Sequence, residues 1–189
     1  MGKFLVETSA RHGHLSQKDV ETLFGEGYRL TLKKELSQPG QFVCNEKVTV
    51  KFPKGQYNMS IIGPERPFSQ FEISATDARS MGITAYTRES GDITETAGCT
   101  IVGPKGEVTL DEGVIVSKRH IHLPPAAADE LDVKDKQIVW VRLDTDKSVI
   151  YGDVVVRVNE SFSPAMHIDT DEANAAGAAG ELYGEIVSI

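Results

Sequence analysis

Polar and apolar residues alternate along much of this chain, in short runs closed by glycine and proline. Lys47, Thr49 and Lys51 interleave with Val48, Val50 and Phe52, and Gln70, Glu72 and Ser74 interleave with Phe71 and Ile73. A period of two sends successive side chains to opposite faces of an extended strand. The pattern predicts strands over residues 4–9, 28–36, 47–52, 58–62, 68–74, 100–102, 107–110, 113–116, 137–143, 149–151, 154–158 and 182–189. Helices are few. Ser16 caps one that reaches Phe24, with Asp19 at its third position and Gly25 and Gly27 at its end. Residues 76–81 make one turn stopped by Gly82, residues 124–131 another helix, and residues 171–176 a last one capped by Asp169 or Thr170. Many short strands between Gly and Pro turns point to a mainly β fold, small barrels or a sandwich.

The 189 residues suffice for one large domain or two small ones, and 40% hydrophobic content supports a packed core. A net charge of −8, with no basic run longer than Lys33-Lys34 or Lys118-Arg119, argues against a nucleic-acid partner. No apolar run is long enough to span a bilayer, so no membrane partner is expected. Cys44 and Cys99 read as two reduced thiols of a cytoplasmic protein. The first strand begins too early to leave room for a targeting helix. The phosphate-cradling motif G-x-x-x-x-G-K-S/T is absent, as are G-x-G-x-x-G and G-x-S-x-G.

The chemistry concentrates in the five histidines. Ser9-Ala10-Arg11-His12-Gly13-His14-Leu15 and Ser117-Lys118-Arg119-His120-Ile121-His122-Leu123 share one phrase, 108 residues apart. Residues i and i+2 of a strand face the same way, so each His pair can grip one ion. The alternative is that Arg11 and Arg119 are salt-bridged and the histidines merely cap strand ends. The sequence between the copies does not align, so the repeat reads as local. His167 sits in His-Ile-Asp-Thr-Asp; Asp169 and Asp171 are either orienting partners for it or helix N-terminal acids, the latter favoured for Asp171. Glu72, on one strand face with Gln70 and Ser74, reads by itself as exposed. Arg66, just after the Gly63-Pro64 turn, and Arg88 beside Ser90 suit phosphate or carboxylate, because a guanidinium fork matches their oxygens.

These motifs together resemble the propanediol-utilisation type of phosphotransacylase (phosphate propanoyltransferase). The resemblance rests on S-A-R-H-x-H-L-S at Ser9–Ser16, L-S-Q-P-G-Q-F at Leu36–Phe42, and G-P-x-R-x-x-x-Q-x-E-I-S at Gly63–Ser74. It extends to R-x-S-G at Arg88–Gly91, R-H-I-H at Arg119–His122 and H-I-D-T-D-E-A-N at His167–Asn174, in order and nearly end to end. It implies two small interleaved β-barrels with short capping helices: residues 1–10 with 118–189, and residues 11–117 with a hairpin insertion near 25–44. It implies a zinc-dependent enzyme, with two ions per chain between the barrels, that interconverts acyl-CoA plus phosphate with acyl phosphate plus coenzyme A. His12 and His14 would hold one metal with Ser9 close by. Glu72, His120, His122 and His167 would hold the other. Arg66 would bind phosphate with Gln41 nearby, and Ser90 would lie near the thiol end of coenzyme A. Gly13, where an apolar residue is usual, would loosen the first metal site, and Tyr86 stands in place of a proline. The family's microcompartment members carry an N-terminal encapsulation peptide that this chain lacks, which favours a free bacterial cytoplasmic enzyme. A homodimer is what the family implies.

In that reading phosphate attacks the thioester directly. The metal on His12 and His14 receives the leaving sulfur, Arg66 and the second metal hold phosphate, and no protein nucleophile takes part. Two rivals stand beside it. A cupin-like oxygenase or isomerase would use one H-x-H, a Glu and a later His for a single metal. A non-catalytic β-barrel binding protein would hold structural metal in closed four-ligand shells.

Overall fold

The alternating segments form fourteen strands and four short helices in a computed structural model whose described residues are 2–188. In chain order these are β1 (Lys3–Thr8), β2 (His12–His14), α1 (Gln17–Phe24), β3 (Leu32–Glu35), β4 (Phe42–Phe52), β5 (Gly55–Gly63) and β6 (Gln70–Glu72). Next come α2 (Ala75–Met81), β7 (Thr87–Arg88), β8 (Ala97–Val102), β9 (Glu107–Ser117), β10 (His120–Leu123) and α3 (Pro125–Glu130). The last are β11 (Ile138–Leu143), β12 (Val149–Val158), β13 (Ala165–Ile168), α4 (Thr170–Ala176) and β14 (Leu182–Val187). Among the described residues no helix is long and apolar enough to cross a membrane.

The chain separates into two compact units. The first takes the chain up to Ser9, the short segment Ser37–Pro39, and everything from Lys118 onward; the second takes Ala10–Leu36 and Gly40–Ser117. Each is a closed six-stranded barrel. In the first, the circuit β12-β10-β13-β1-β14-β11 returns to β12. In the second, β5-β2-β6-β9-β8-β4 returns to β5, with β3 and β7 appended. Each barrel has its own core. Phe4, Val6, Ile121, Leu123, Val141 and Met166 fill the first, and Leu15, Val48, Val50, Ile61, Phe71 and Ile101 the second.

The two circuits match strand for strand and sense for sense. Each H-x-H strand lies parallel to one neighbour (β12, β5) and antiparallel to the other (β13, β6). That second neighbour runs parallel to the strand after it (β1, β9), and the remaining pairs are antiparallel. The S-x-R-H-x-H-L repeat is therefore not local: it marks a repeat of the whole barrel. A barrel asks only for alternation and register, which many sequences satisfy, so the intervening text diverged beyond alignment. The repeat is also offset by one strand. β1 completes the first unit and then runs into β2 of the second; β9 completes the second and runs into β10 of the first.

Local signals placed most elements. Ser16 caps α1, accepting from the Asp19 amide, and Gly25 follows its end. Asp169 caps α4 in a reciprocal box with Glu172. Other boundaries differ from expectation. Only residues 32–35 of the predicted strand 28–36 are extended, because Tyr28 stacks on Phe24 and its hydroxyl donates to Glu46. The two segments on either side of Gly113 are one strand, β9, as are the two on either side of Gly152, β12. The expected strand end at Ile189 lies outside the described residues.

Candidate metal centres

Among the described residues, two groups of three metal-ligand side chains form, one in each unit. In the second, His12 and His14 come from β2 and Glu72 from β6, where Glu72 pairs in register with His12. One ligand atom of each lies within 4.8 Å of the others. Gly13 and Leu15 face the barrel core, so the histidines share the opposite face, yet they are 7% and 2% exposed. Each ring is oriented through its Nδ1: His12 Nδ1 lies 2.9 Å from the Ala10 carbonyl and His14 Nδ1 2.9 Å from the Ile62 carbonyl. A carbonyl only accepts, so both Nδ1 atoms carry protons and both Nε2 lone pairs face the group. Burial, with His12 and Arg66 nearby, lowers the His14 pKa to about 3, keeping the ring neutral as a metal ligand must be. Burial pushes the Glu72 carboxyl up, but the charge that His12 and His14 would carry on protonation, with hydrogen bonds from Ser90 and Ser117, outweighs it and draws its pKa below the ordinary value.

The expected partition put Glu72 with His120, His122 and His167. The structure groups it with His12 and His14 instead, so neither H-x-H pair is short of a third donor. The reason is register: β6 runs beside β2 and carries Glu72 opposite His12. The expectation that Gln70, Glu72 and Ser74 lie on an exposed face also fails, since all three are buried.

In the first unit, His120 and His122 on β10 meet His167 on β13, with His120 and His167 paired in register. His120 Nδ1 sits 2.8 Å from the Lys118 carbonyl, the same i−2 contact that orients His12. His122 Nδ1 is buried and has no hydrogen-bond partner. Burial, with His120, His167 and Arg157, lowers its pKa to about 2. A buried ring nitrogen without a hydrogen-bond partner, beside two more imidazoles, fits a divalent cation, which a neutral imidazole would ligate through its lone pair.

Arg66 joins the second group through a polar chain. Its backbone N–H donates to Leu15 O, and its Nη1 donates to Ser90 Oγ at 3.1 Å. Gln70 Nε2 donates to Ser90 Oγ at 2.9 Å and to Glu72 Oε1 at 2.8 Å, and Gln70 Oε1 accepts from the Gly91 amide at 2.8 Å. Gln70 is fully buried and links the arginine loop to the carboxylate. Sequence reasoning missed it because a polar residue alternating with Phe71 reads as solvent-facing. Two further expected site residues are Ser9 and Gln41. The Ser9 amide extends the β1–β13 pairing to Ile168 O in the first unit, and the Gln41 carbonyl accepts from Leu36 N in the second.

Each repeated arginine is pinned by an acid five residues beyond the third donor. Arg11 grips Asp77 through Nε and Nη2 at 3.0 and 2.8 Å and lies over the Tyr57 ring. Arg119 donates to Glu172 at 2.6 Å and lies over Tyr151. Salt-bridged arginines and clustered histidines, read from sequence as alternatives, coexist. Asp169 is the cap of α4; the carboxylate that meets His167 is Glu7, with Oε2 3.1 Å from His167 Nε2. Cys44 and Cys99 are buried free thiols whose pKa values burial raises to about 12.

The family model for phosphate propanoyltransferase matches residues 5–179. A phosphate propanoyltransferase of Enterococcus faecalis is 50% identical over 185 residues, 97% of this chain and 88% of that protein. One from Listeria monocytogenes is 48% identical over 183 residues, 96% of this chain and 86% of that protein. One from Thermotoga maritima is 50% identical over 174 residues, 91% of this chain and 83% of that protein.

Proposed function

The chain belongs to the phosphate propanoyltransferase family and is an acyltransferase, and on that footing we propose that it is zinc-dependent and interconverts a short-chain acyl-CoA plus phosphate with acyl phosphate plus coenzyme A. A phosphate oxygen attacks the thioester carbonyl carbon, the carbon–sulfur bond breaks, and the thiolate leaves. The observation that carries the zinc reading is the pair of three-donor groups, His12, His14, Glu72 and His120, His122, His167. Three protein donors leave a coordination position open, which is the pattern of catalytic rather than structural zinc. Bound there, zinc supplies a Lewis acid that favours thiolate over thiol and offsets phosphate charge.

The chain's own residues do the rest. Arg66 presents a planar guanidinium to phosphate and is held in place by Leu15 O and Ser90. Ser90 and Gln70 tie its position to Glu72, so the anion and the three-donor group share one rigid frame. Neither thiol forms an acyl intermediate, because burial keeps both protonated.

Metal analysis with an acyl-CoA and phosphate assay tests this. The purified enzyme is expected to carry two zinc ions per chain, to lose acyl-phosphate formation on chelation, and to regain it with zinc. One metal per chain with oxygen consumption would instead support the cupin-like chemistry, and a burst of acylated enzyme would replace direct attack with a covalent route.

A further inference from the structure

The barrel repeat makes one residue stand out. In the second unit, β9 sets Ile115 beside the third donor, Glu72, in register. In the first unit, β1 sets Glu7 beside the third donor, His167, in the matching register position. The two environments are chemically complementary. Glu72 is an acceptor and receives donors: Gln70 Nε2 directly, and the hydroxyls of Ser90 and Ser117. His167 is an imidazole with one N–H to place, and its neighbour is a carboxylate.

Phe4 and Val6 point into the core of the first barrel, so Glu7 lies on the opposite face with His167. Glu7 Oε2 sits 3.1 Å from His167 Nε2 and also accepts from the Ser37 hydroxyl. Ser37 belongs to a short strap, Ser37–Pro39, that counts with this unit. Gln38 anchors the strap: it is buried, donates to Ser163 O at 2.9 Å and accepts from Ser163 N at 3.3 Å. Glu7 is not one of the three clustered donors; it meets the group through His167 Nε2.

We propose that Glu7, itself steadied by Ser37 on the Gln38-anchored strap, is the positioning residue that fixes His167 as a metal ligand. An ionised carboxylate only accepts, so it requires the proton on Nε2 and leaves the Nδ1 lone pair to the metal. A carboxylate behind a ligating imidazole raises its basicity and locks its orientation, and losing such a partner costs roughly 10–100-fold in metal affinity. This inference rests on the proposal that the first unit binds zinc.

The test is a competition titration of the zinc-loaded enzyme against a chromophoric chelator, with His122→Ala identifying the first-unit ion. Glu7→Ala is expected to weaken that ion about 10–100-fold and leave the second-unit ion unchanged. Glu7→Gln, which keeps an acceptor without charge, should restore part of the loss, and Ser37→Ala should show a smaller one. Nitrogen NMR of the loaded enzyme should show the His167 proton on Nε2. Unchanged affinity in Glu7→Ala, or the proton on Nδ1, overturns the assignment while leaving the metal reading intact. Absence of any ion that His122→Ala removes would instead overturn the metal reading, and this inference with it. Retention of the second-unit ion by each variant reports that the chain is still folded.

Discussion

Gly13 and the ring of Phe71 occupy one space: a Cβ on residue 13 would stand 2.3 Å from a Phe71 ring carbon. The two residues face each other in register across β2 and β6, and Phe71 is fully buried. The glycine, which the family resemblance implies would loosen this site, leaves the space that the Phe71 ring fills. It lets the ring close over the strand and brings β6, with Glu72, against β2. Gly13→Val is therefore expected to destabilise the enzyme by about 1–3 kcal/mol through overpacking, read by urea denaturation, and to weaken the second-unit metal. Gly13→Val with Phe71→Leu should recover much of both losses. Equal stability of wild type and the single variant would show that the strands separate without cost.

Arg66 and Gln70 make separable predictions. Arg66→Ala should lower kcat/KM for phosphate by about 100-fold, with the KM for acyl-CoA near its wild-type value. Arg66→Lys should recover only part, because an ammonium lacks the two-pronged fork. Gln70→Leu removes the link rather than the charge. It leaves Glu72 Oε1 without its amide donor in a buried setting and should destabilise the fold by about 1–3 kcal/mol as well as reduce activity. Wild-type activity in Arg66→Ala would remove the arginine from the phosphate site.

What the sequence made legible, and what it did not, follows from the range of each interaction. Caps are local, so Ser16 and Asp169 are readable where they stand. The H-x-H pairs are readable because a strand fixes i and i+2 on one face. Which carboxylate joins which pair depends on strand register between residues sixty apart or more, and alternation alone carries no register. The family resemblance therefore places Glu72 with the wrong pair, nothing in the sequence marks Glu7, and alternation reads Gln70 as exposed. The full-barrel repeat was hidden for the same reason, since topology lives in pairings that sequence does not print.

Glu46 gives the pH dependence. It is 7% exposed and accepts from Tyr28 Oη at 2.9 Å, Thr31 N at 3.0 Å and Thr31 Oγ1 at 2.6 Å. Burial pushes its carboxyl up, but these donors outweigh burial and its pKa falls below the ordinary 4.5. The folded state thus binds its proton less readily than the unfolded state. Its contribution is fully present above pH 4.5 and is lost as pH falls through the depressed folded value. Glu46→Gln should cost about 2 kcal/mol at pH 7 and flatten the acid limb of the stability curve below that pH. An acid limb of unchanged slope in the variant would assign acid sensitivity to other groups.

The repeat also predicts unequal costs for equivalent acids. In the second unit two residues share the work: Ser74 caps α2 and Asp77 pins Arg11. In the first, Asp169 caps α4, but Glu172 joins two tasks: one oxygen closes the capping box by accepting from the Asp169 amide and the other accepts from Arg119. Removing Asp77 therefore breaks one arginine contact that is 42% exposed on the Arg11 side and leaves the cap of α2 in place. Removing Glu172 breaks the capping box and a charge-assisted bond together. Glu172→Ala is expected to cost about 2–4 kcal/mol and Asp77→Ala about 1 kcal/mol. A double-mutant cycle with Arg119→Ala isolates the ion-pair share, and the remainder is the cap. If Glu172→Ala and Asp77→Ala cost the same, the two tasks are not joined in Glu172, and α4 is held by its packing against the first barrel rather than by its first turn.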